Sequence, residues 1–240
     1  GLHAVMAEAR AVAEQDEAAN RQLSELGADW IRAHARPRPA GRPGLRIVTH
    51  CNSGALATSG WGTAYGIIHT LHQRGAVELV YADETRPLLQ GARLTAWELG
   101  RDGVPYVIQP DGAAASTILR GLADVAVIGA DRIAADGDTA NKVGSVGLAL
   151  ACARAGIPFV VAAPFSTVDL ATASGDGIVI EQRDAGEVLS VCGVRVAPPG
   201  ARAHNPAFDV TPHDLISAIV TERGVAEPHP PTGAFDLAAL

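Results

Sequence analysis

Leu45-Arg-Ile-Val-Thr-His50-Cys51-Asn52-Ser53-Gly54 decides how this chain is read, because a short, mostly apolar run passes directly into a polar turn closed by glycine. The same grammar returns downstream. Val77 to Tyr81 leads into Asp83-Glu84-Thr85-Arg86, Val104 to Ile108 into Asp111, and Val125 to Ile128 into Gly129-Ala130-Asp131-Arg132. Two further apolar runs, Pro158 to Ala162 and Ile178 to Ile180, extend the series. Continuous rather than alternating apolarity is what a parallel strand covered on both faces requires, and most of the runs are separated by glycine-punctuated helical stretches. The pattern predicts an α/β fold with a doubly wound, mostly parallel, Rossmann-like sheet. In such a sheet the carboxyl ends of the strands lie along one edge, so polar residues far apart in sequence converge on one crevice.

Working outward, the periodic placement of Leu23, Leu26, Trp30 and Ile31 predicts an amino-terminal helix over Val12 to Ala35. The run Ala35-Arg-Pro-Arg-Pro-Ala-Gly-Arg-Pro-Gly44 reads as a linker, since its prolines cannot continue a helix. The expected organisation is a helical arm and linker over residues 1–40, a catalytic domain over 41–226 and a peripheral proline-rich tail over 227–240.

At 240 residues and 48% hydrophobic content, the chain is long enough to bury the core of one sizeable α/β domain. No apolar stretch approaches the roughly 18 residues a membrane helix needs. A net charge of −7 argues against a broad nucleic-acid-binding face, so any anion must be caught by a local pocket. Three cysteines, Cys51, Cys152 and Cys192, form no CxxC pair, which predicts no disulfide and fits a reducing cytoplasm. The amino terminus carries no signal-peptide pattern.

Several positions bear chemistry. The run Asp83-Glu-Thr-Arg-Pro-Leu-Leu-Gln90-Gly-Ala-Arg93 gathers acids, arginines and a glutamine after a strand, which suggests a small anionic substrate. Cys51 precedes a glycine-rich turn leading to a helix, whose amino-terminal N–H groups can lower a thiol pKa, although a lone cysteine also serves as a small buried hydrophobe. His50 points to the opposite side of the strand from Cys51 and is read as a structural hydrogen-bonding residue. Asp131 ends an apolar strand, where partial desolvation suits a carboxyl to give a proton; capping the next turn or pairing with Arg132 is the alternative. Asn141 and Lys142 offer amide and ammonium donors beside a Gly144-Ser145 helix start, a sugar- or phosphate-binding arrangement set against Lys142 as a solvated surface charge. The Asp136 to Ser145 stretch lacks the ligand spacing of a calcium loop and the glycines of a nucleotide phosphate loop. His69 and His72 lack a third ligand, and no metal is implied.

Thr49-His-Cys-Asn-Ser-Gly-Ala-Leu-Ala-Thr58, the Asp83 to Leu99 run, Gly129-Ala-Asp-Arg-Ile133, Asp138-Thr-Ala-Asn-Lys142 and Asn205-Pro-Ala-Phe-Asp-Val-Thr-Pro212 together resemble the S-methyl-5-thioribose-1-phosphate isomerases of methionine salvage. The wider group includes ribose-1,5-bisphosphate isomerases and regulatory subunits of a translation-initiation exchange factor. The resemblance, which runs in order from Gln15 to Val225, implies a cofactor-free and metal-free aldose-to-ketose isomerisation of a sugar phosphate. It implies Asp131 as proton donor, Cys51 as second catalytic group, Gln90, Asn141 and Lys142 as substrate-binding residues, and a homodimer. Asp83 and Arg86 are expected to form an internal ion pair. Members of this family carry a further amino-terminal helical domain with substrate-binding arginines, and the chain, which opens on Gly1, is expected to lack it.

Overall fold

The computed structural model describes residues 1–36, 44–230 and 233–240. In chain order the first half contains α1 (Leu2–His34), β1 (Leu45–Thr49), α2 (Ala64–Gln73), β2 (Val77–Asp83), α3 (Ala96–Arg101), β3 (Tyr106–Gln109), α4 (Ala114–Leu119) and β4 (Val125–Ile128). The second half begins with β5 (Arg132–Ala134), β6 (Thr139–Lys142), α5 (Ser145–Ala155), β7 (Phe159–Ala162) and β8 (Val168–Asp169). It closes with α6 (Gly186–Leu189), β9 (Ser190–Val191), β10 (Val194–Arg195), β11 (Phe208–Thr211), β12 (Ala218–Thr221) and β13 (Gly224–Ala226).

Val125-Ala-Val-Ile128 is buried along its whole length and forms the middle strand of a seven-stranded sheet ordered β13-β12-β7-β4-β1-β2-β3. All neighbours pair in parallel except β12 with β13. The strand's side chains alternate between two apolar cores. Val125 and Val127 pack with Leu23 and Ile31 of α1 and Ile67, Ile68 and Leu71 of α2. Ala126 and Ile128 pack with Ile118 of α4 and Leu148, Ala149 and Cys152 of α5. The continuous apolar runs follow from this double coverage, each fully buried Val or Ile contributing about 1.5–3 kcal/mol of transfer free energy.

A smaller sheet, ordered β11-β6-β5-β8, follows the carboxyl end of β4 in the chain. Its antiparallel β6–β11 pair sets Asn141 opposite Asp209 and Lys142 opposite Phe208. This ladder positions the site.

Four expectations from the sequence are corrected. Ile178 to Ile180 is not a strand, and Val179 is 95% exposed; Ala218–Thr221 supplies the sixth parallel strand instead. The amino-terminal helix begins at Leu2, ten residues before its expected start at Val12. The tail is not peripheral throughout, because Phe235 and Leu237 join the core beneath α5. Asp83 and Arg86 do not pair: Asp83 meets His50 and Gln109, while the Arg86 guanidinium donates to the carbonyls of Pro87, Glu187 and Val188. Most of the expected linker, residues 37–43, and with it the boundary set at residue 40, lies outside the described residues. Among the described residues no helix is long and apolar enough to cross a membrane.

Candidate active site

A cavity of about 470 Å³ opens where β1, β4 and β6 end, and Cys51, Gln90, Asp131, Asn141 and Lys142 all line it. Every site residue expected from the sequence therefore reaches one space. Asp16 of α1, His50, Ser53, Thr63 and Phe208 also border it.

Cys51 stands immediately beyond β1 with φ of 65°, a left-handed conformation uncommon for a residue with a side chain. Two hydroxyls hold it there. Its N–H donates to Thr85 Oγ1 at 2.9 Å, and its carbonyl accepts from Thr95 Oγ1 at 2.6 Å. The fully buried Glu98 completes the clamp, its carboxylate accepting from Asn52 Nδ2 at 2.6 Å and from the Leu56 N–H at 3.1 Å. Three members of the Asp83 to Leu99 run thus hold the loop that carries Cys51. Gln90 is the member that borders the cavity, and its Oε1 is buried with no hydrogen-bond partner among the described residues. Such an orphaned acceptor awaits a donor.

The electrostatics of Cys51 run opposite to the effect of a helix terminus. Ser53, not Cys51, meets the start of α2, its Oγ accepting the Tyr65 N–H at 3.2 Å. Burial pushes the Cys51 thiol up to about 11, and Asp131 adds to the rise, while the Asn52 N–H and the Lys142 ammonium oppose it. Asp131 is exposed to the open cavity, yet the protein around it raises its carboxyl above the usual range by desolvation, against the pull of Lys142. Its side chain accepts no hydrogen bond among the described residues, and Arg132 pairs instead with Asp169 at 3.2 Å. The alternative in which Asp131 pairs with Arg132 is not adopted.

Lys142 is not a solvated surface charge. It is 9% exposed, its Nζ donates to the Ala207 carbonyl at 3.0 Å, and it lies 4.5 Å from the centre of the Phe208 ring. No carboxylate among the described residues lies within ion-pair distance of it, which leaves an ammonium able to attract an anion. Asn141 is likewise buried, its Nδ2 donating to Ser145 Oγ at 2.9 Å. Asp209 closes the end of the same segment, accepting the Gly144 N–H at 2.7 Å at the start of α5. The Asn205 to Pro212 motif therefore supports Lys142 and α5. Reading the motif as a strand opposite Asn141-Lys142 would have identified Phe208 and Asp209 from sequence; Thr85, Thr95, Glu98 and Asp16 carried no comparable signal.

His50, Asp83 and Asp111 approach closely enough to hold an ion, but their atoms are committed: Asp111 accepts the N–H groups of Thr85 and Arg86, and His50 bonds Asp83 and the Val143 carbonyl. His69 packs edge-on against Trp61.

These charges predict a reactivity order. At pH 8 a thiol held at about 11 is roughly 0.1% thiolate, so alkylation of Cys51 should be slow although the cavity is open, while exposed Cys192 reacts first. Lys142→Met removes a pull that lowers the thiol, and the pH dependence of Cys51 alkylation should move upward. Mass-spectrometric mapping of the labelled cysteines checks both; a downward shift in the variant would contradict the placement of Lys142.

Residues 2–228 match the model of the Initiation factor 2 subunit family. The methylthioribose-1-phosphate isomerase of Anaeromyxobacter sp. (strain K) is 53% identical over 226 residues, which cover 94% of this chain and 64% of the relative. A crystal structure of 5-methylthioribose 1-phosphate isomerase from Pyrococcus horikoshii OT3 superposes with a TM-score of 0.86 at 42% identity, over 94% of this chain and 60% of that one. The translation initiation factor eIF-2B subunit delta from A. fulgidus superposes with a TM-score of 0.85 at 37% identity, over 94% and 62% of the respective chains. The chain thus spans a little under two thirds of the length of these proteins.

Proposed function

Because the chain belongs to the Initiation factor 2 subunit family, and its cavity gathers a carboxyl, a thiol and an ammonium with no carboxylate partner among the described residues, we propose that it acts in the isomerisation of 5-methylthioribose 1-phosphate to 5-methylthioribulose 1-phosphate, a step of methionine salvage. The observation that carries this reading is the convergence of Cys51, Gln90, Asp131, Asn141 and Lys142 on one cavity. The similarity to the Anaeromyxobacter and Pyrococcus isomerases supports the choice of substrate. With helices on both faces of the sheet, the architecture is read as doubly wound and Rossmann-like, and the active assembly as a cytoplasmic homodimer.

A sugar whose anomeric oxygen bears phosphate cannot open by losing a hydroxyl proton at C1. The ring oxygen must take a proton as its bond to C1 breaks. Asp131, kept protonated to higher pH by desolvation, is suited to give that proton. Hydride then passes from C2 to C1, and the C2 hydroxyl becomes the ketone as its proton returns, through water of the open cavity, to the Asp131 carboxylate that gave one up. A thiol held near 11 is a poor base at neutral pH. This supports direct hydride movement from C2 to C1, with Cys51 flanking the reacting carbons as a neutral group. Lys142 attracts the phosphate, and the unpartnered Oε1 of Gln90 accepts a substrate hydroxyl.

The test is product formation from methylthioribose 1-phosphate, by the chain alone and with the amino-terminal helical domain of its relatives supplied. Turnover in the extended protein is expected; binding without turnover in that protein would overturn the enzymatic reading.

A further inference from the structure

His50 is 2% exposed, and the proposed chemistry gives it no part, yet its two ring nitrogens make the hydrogen bonds that join the two halves of the site. Nε2 lies 2.9 Å from the Val143 carbonyl, which can only accept, so Nε2 carries a proton. Nδ1 lies 3.0 Å from Asp83 Oδ2. The other oxygen of Asp83 accepts from Gln109 Nε2 at 2.9 Å, and the Gln109 amide is oriented by Thr117, whose hydroxyl donates to Oε1 at 2.7 Å. Burial pushes the Asp83 carboxyl upward, and the hydrogen bonds from His50 and Gln109 pull against it; with the carboxyl held ionised by those two donors, Nδ1 carries a proton as well. Asp111, in the turn after β3, and Asp209 of β11 also face the ring, and the Cys152 thiol of α5 lies near Asp83.

We propose that His50 is a positioning residue of this site, a buried imidazolium bonded to Asp83 on one side and to the Val143 carbonyl on the other, which sets the spacing between Cys51 and Lys142. The connection is direct in the chain: His50 precedes Cys51 at the end of β1, and Val143 follows Lys142 at the end of β6. Gly144 makes the joint close-fitting, because at its φ of 114° an added Cβ would sit 2.8 Å from the imidazole Cε1. Charge pairing with Asp83 keeps the imidazolium tolerable in a buried place. The role in spacing rests on the isomerase reading, whereas the charge state does not. Burial opposes protonation of His50, but the Asp83 hydrogen bond and charge outweigh it and raise its pKa. The folded chain therefore keeps a proton that the unfolded chain releases above about pH 6.5, and this contribution to stability falls as pH rises through the folded-state value.

Nitrogen-15 NMR of the chain labelled at histidine rings tests the charge, with the His50 signals assigned by their loss in His50→Gln. Should that variant fail to fold, Asp83→Asn assigns them by the change it causes. Both His50 nitrogens are expected to be protonated at pH 7.5. In Asp83→Asn, where an amide donates to Nδ1, the ring should be neutral at the same pH. An unprotonated His50 nitrogen in the parent chain at pH 7.5 would overturn the proposal, with or without turnover. In the turning-over protein, Asp83→Asn should lower kcat by roughly tenfold or more, with a smaller change in KM, because the binding groups remain while the thiol is displaced. An unchanged kcat would overturn the spacing role, and absence of turnover in the parent would count against the isomerase reading alone.

Discussion

On the proposed isomerisation, Asp131→Asn in a protein extended to the full length of its relatives is expected to lower kcat by about 10²–10⁴-fold, the range for loss of a positioned general acid. The amide has nearly the same shape and cannot release a proton to the ring oxygen. The fold should be untouched, because Asp131 holds no hydrogen bond through its side chain among the described residues and Arg132 is engaged with Asp169. The desolvation that raises its pKa disfavours the ionised form in the folded chain, so the neutral amide should leave the fold as stable or slightly more stable at neutral pH. The pH profile supplies a second reading. A carboxyl whose pKa is raised acts as donor only while protonated, so activity should decline as pH climbs through that raised value, and this limb should vanish in the residual activity of the variant. Cys51→Ala should also abolish most turnover, but without shifting that limb. Steady-state kinetics beside thermal unfolding separate the cases; turnover within tenfold of the parent in Asp131→Asn would refute the proton-donor role.

Gly91→Ala is expected to destabilise the chain by more than about 3 kcal/mol, well beyond ordinary overpacking. A Cβ at this position would lie 1.7 Å from the Asp83 carbonyl oxygen and 2.9 Å from Thr85 Oγ1. The first of these is backbone, so no rotamer change relieves it. The damage is directed at the site, because Asp83 holds His50 and Thr85 holds the Cys51 N–H. Denaturant unfolding measures the loss, and alkylation of Cys51 should quicken as the clamp loosens. Alanine tolerated at 91 within about 1 kcal/mol would mean that this turn does not approach β2 as described.

The same run shows how far sequence reasoning reaches. Its position after an apolar strand marked it as part of the site, and Gln90 does border the cavity. Most of its polar members nevertheless face other protein groups, and the expected Asp83–Arg86 pair is replaced by Asp83–His50 and by Arg86 bonds to distant carbonyls. Pattern locates a polar group at a strand end but says nothing of which segment will reach it. Strand choice failed for the same reason: Ile178 to Ile180 and Ala218 to Thr221 are both short and apolar, and the sheet edge beside β7 accepts only the second.

By itself the sequence determined that strand ends would bring Cys51 and Asp131 to one edge, because a parallel sheet with doubly covered strands places every carboxyl end on the same side, whereas Asn141 and Lys142 reach the cavity from β6 of the smaller sheet. Tertiary structure alone decided the states of these groups. Burial raises the thiol of Cys51, Phe208 and the Ala207 carbonyl receive Lys142, and Val143 and Asp83 set the protonation of His50. Desolvation and hydrogen-bond partners come from segments distant in the chain, and they come into being only when those segments meet.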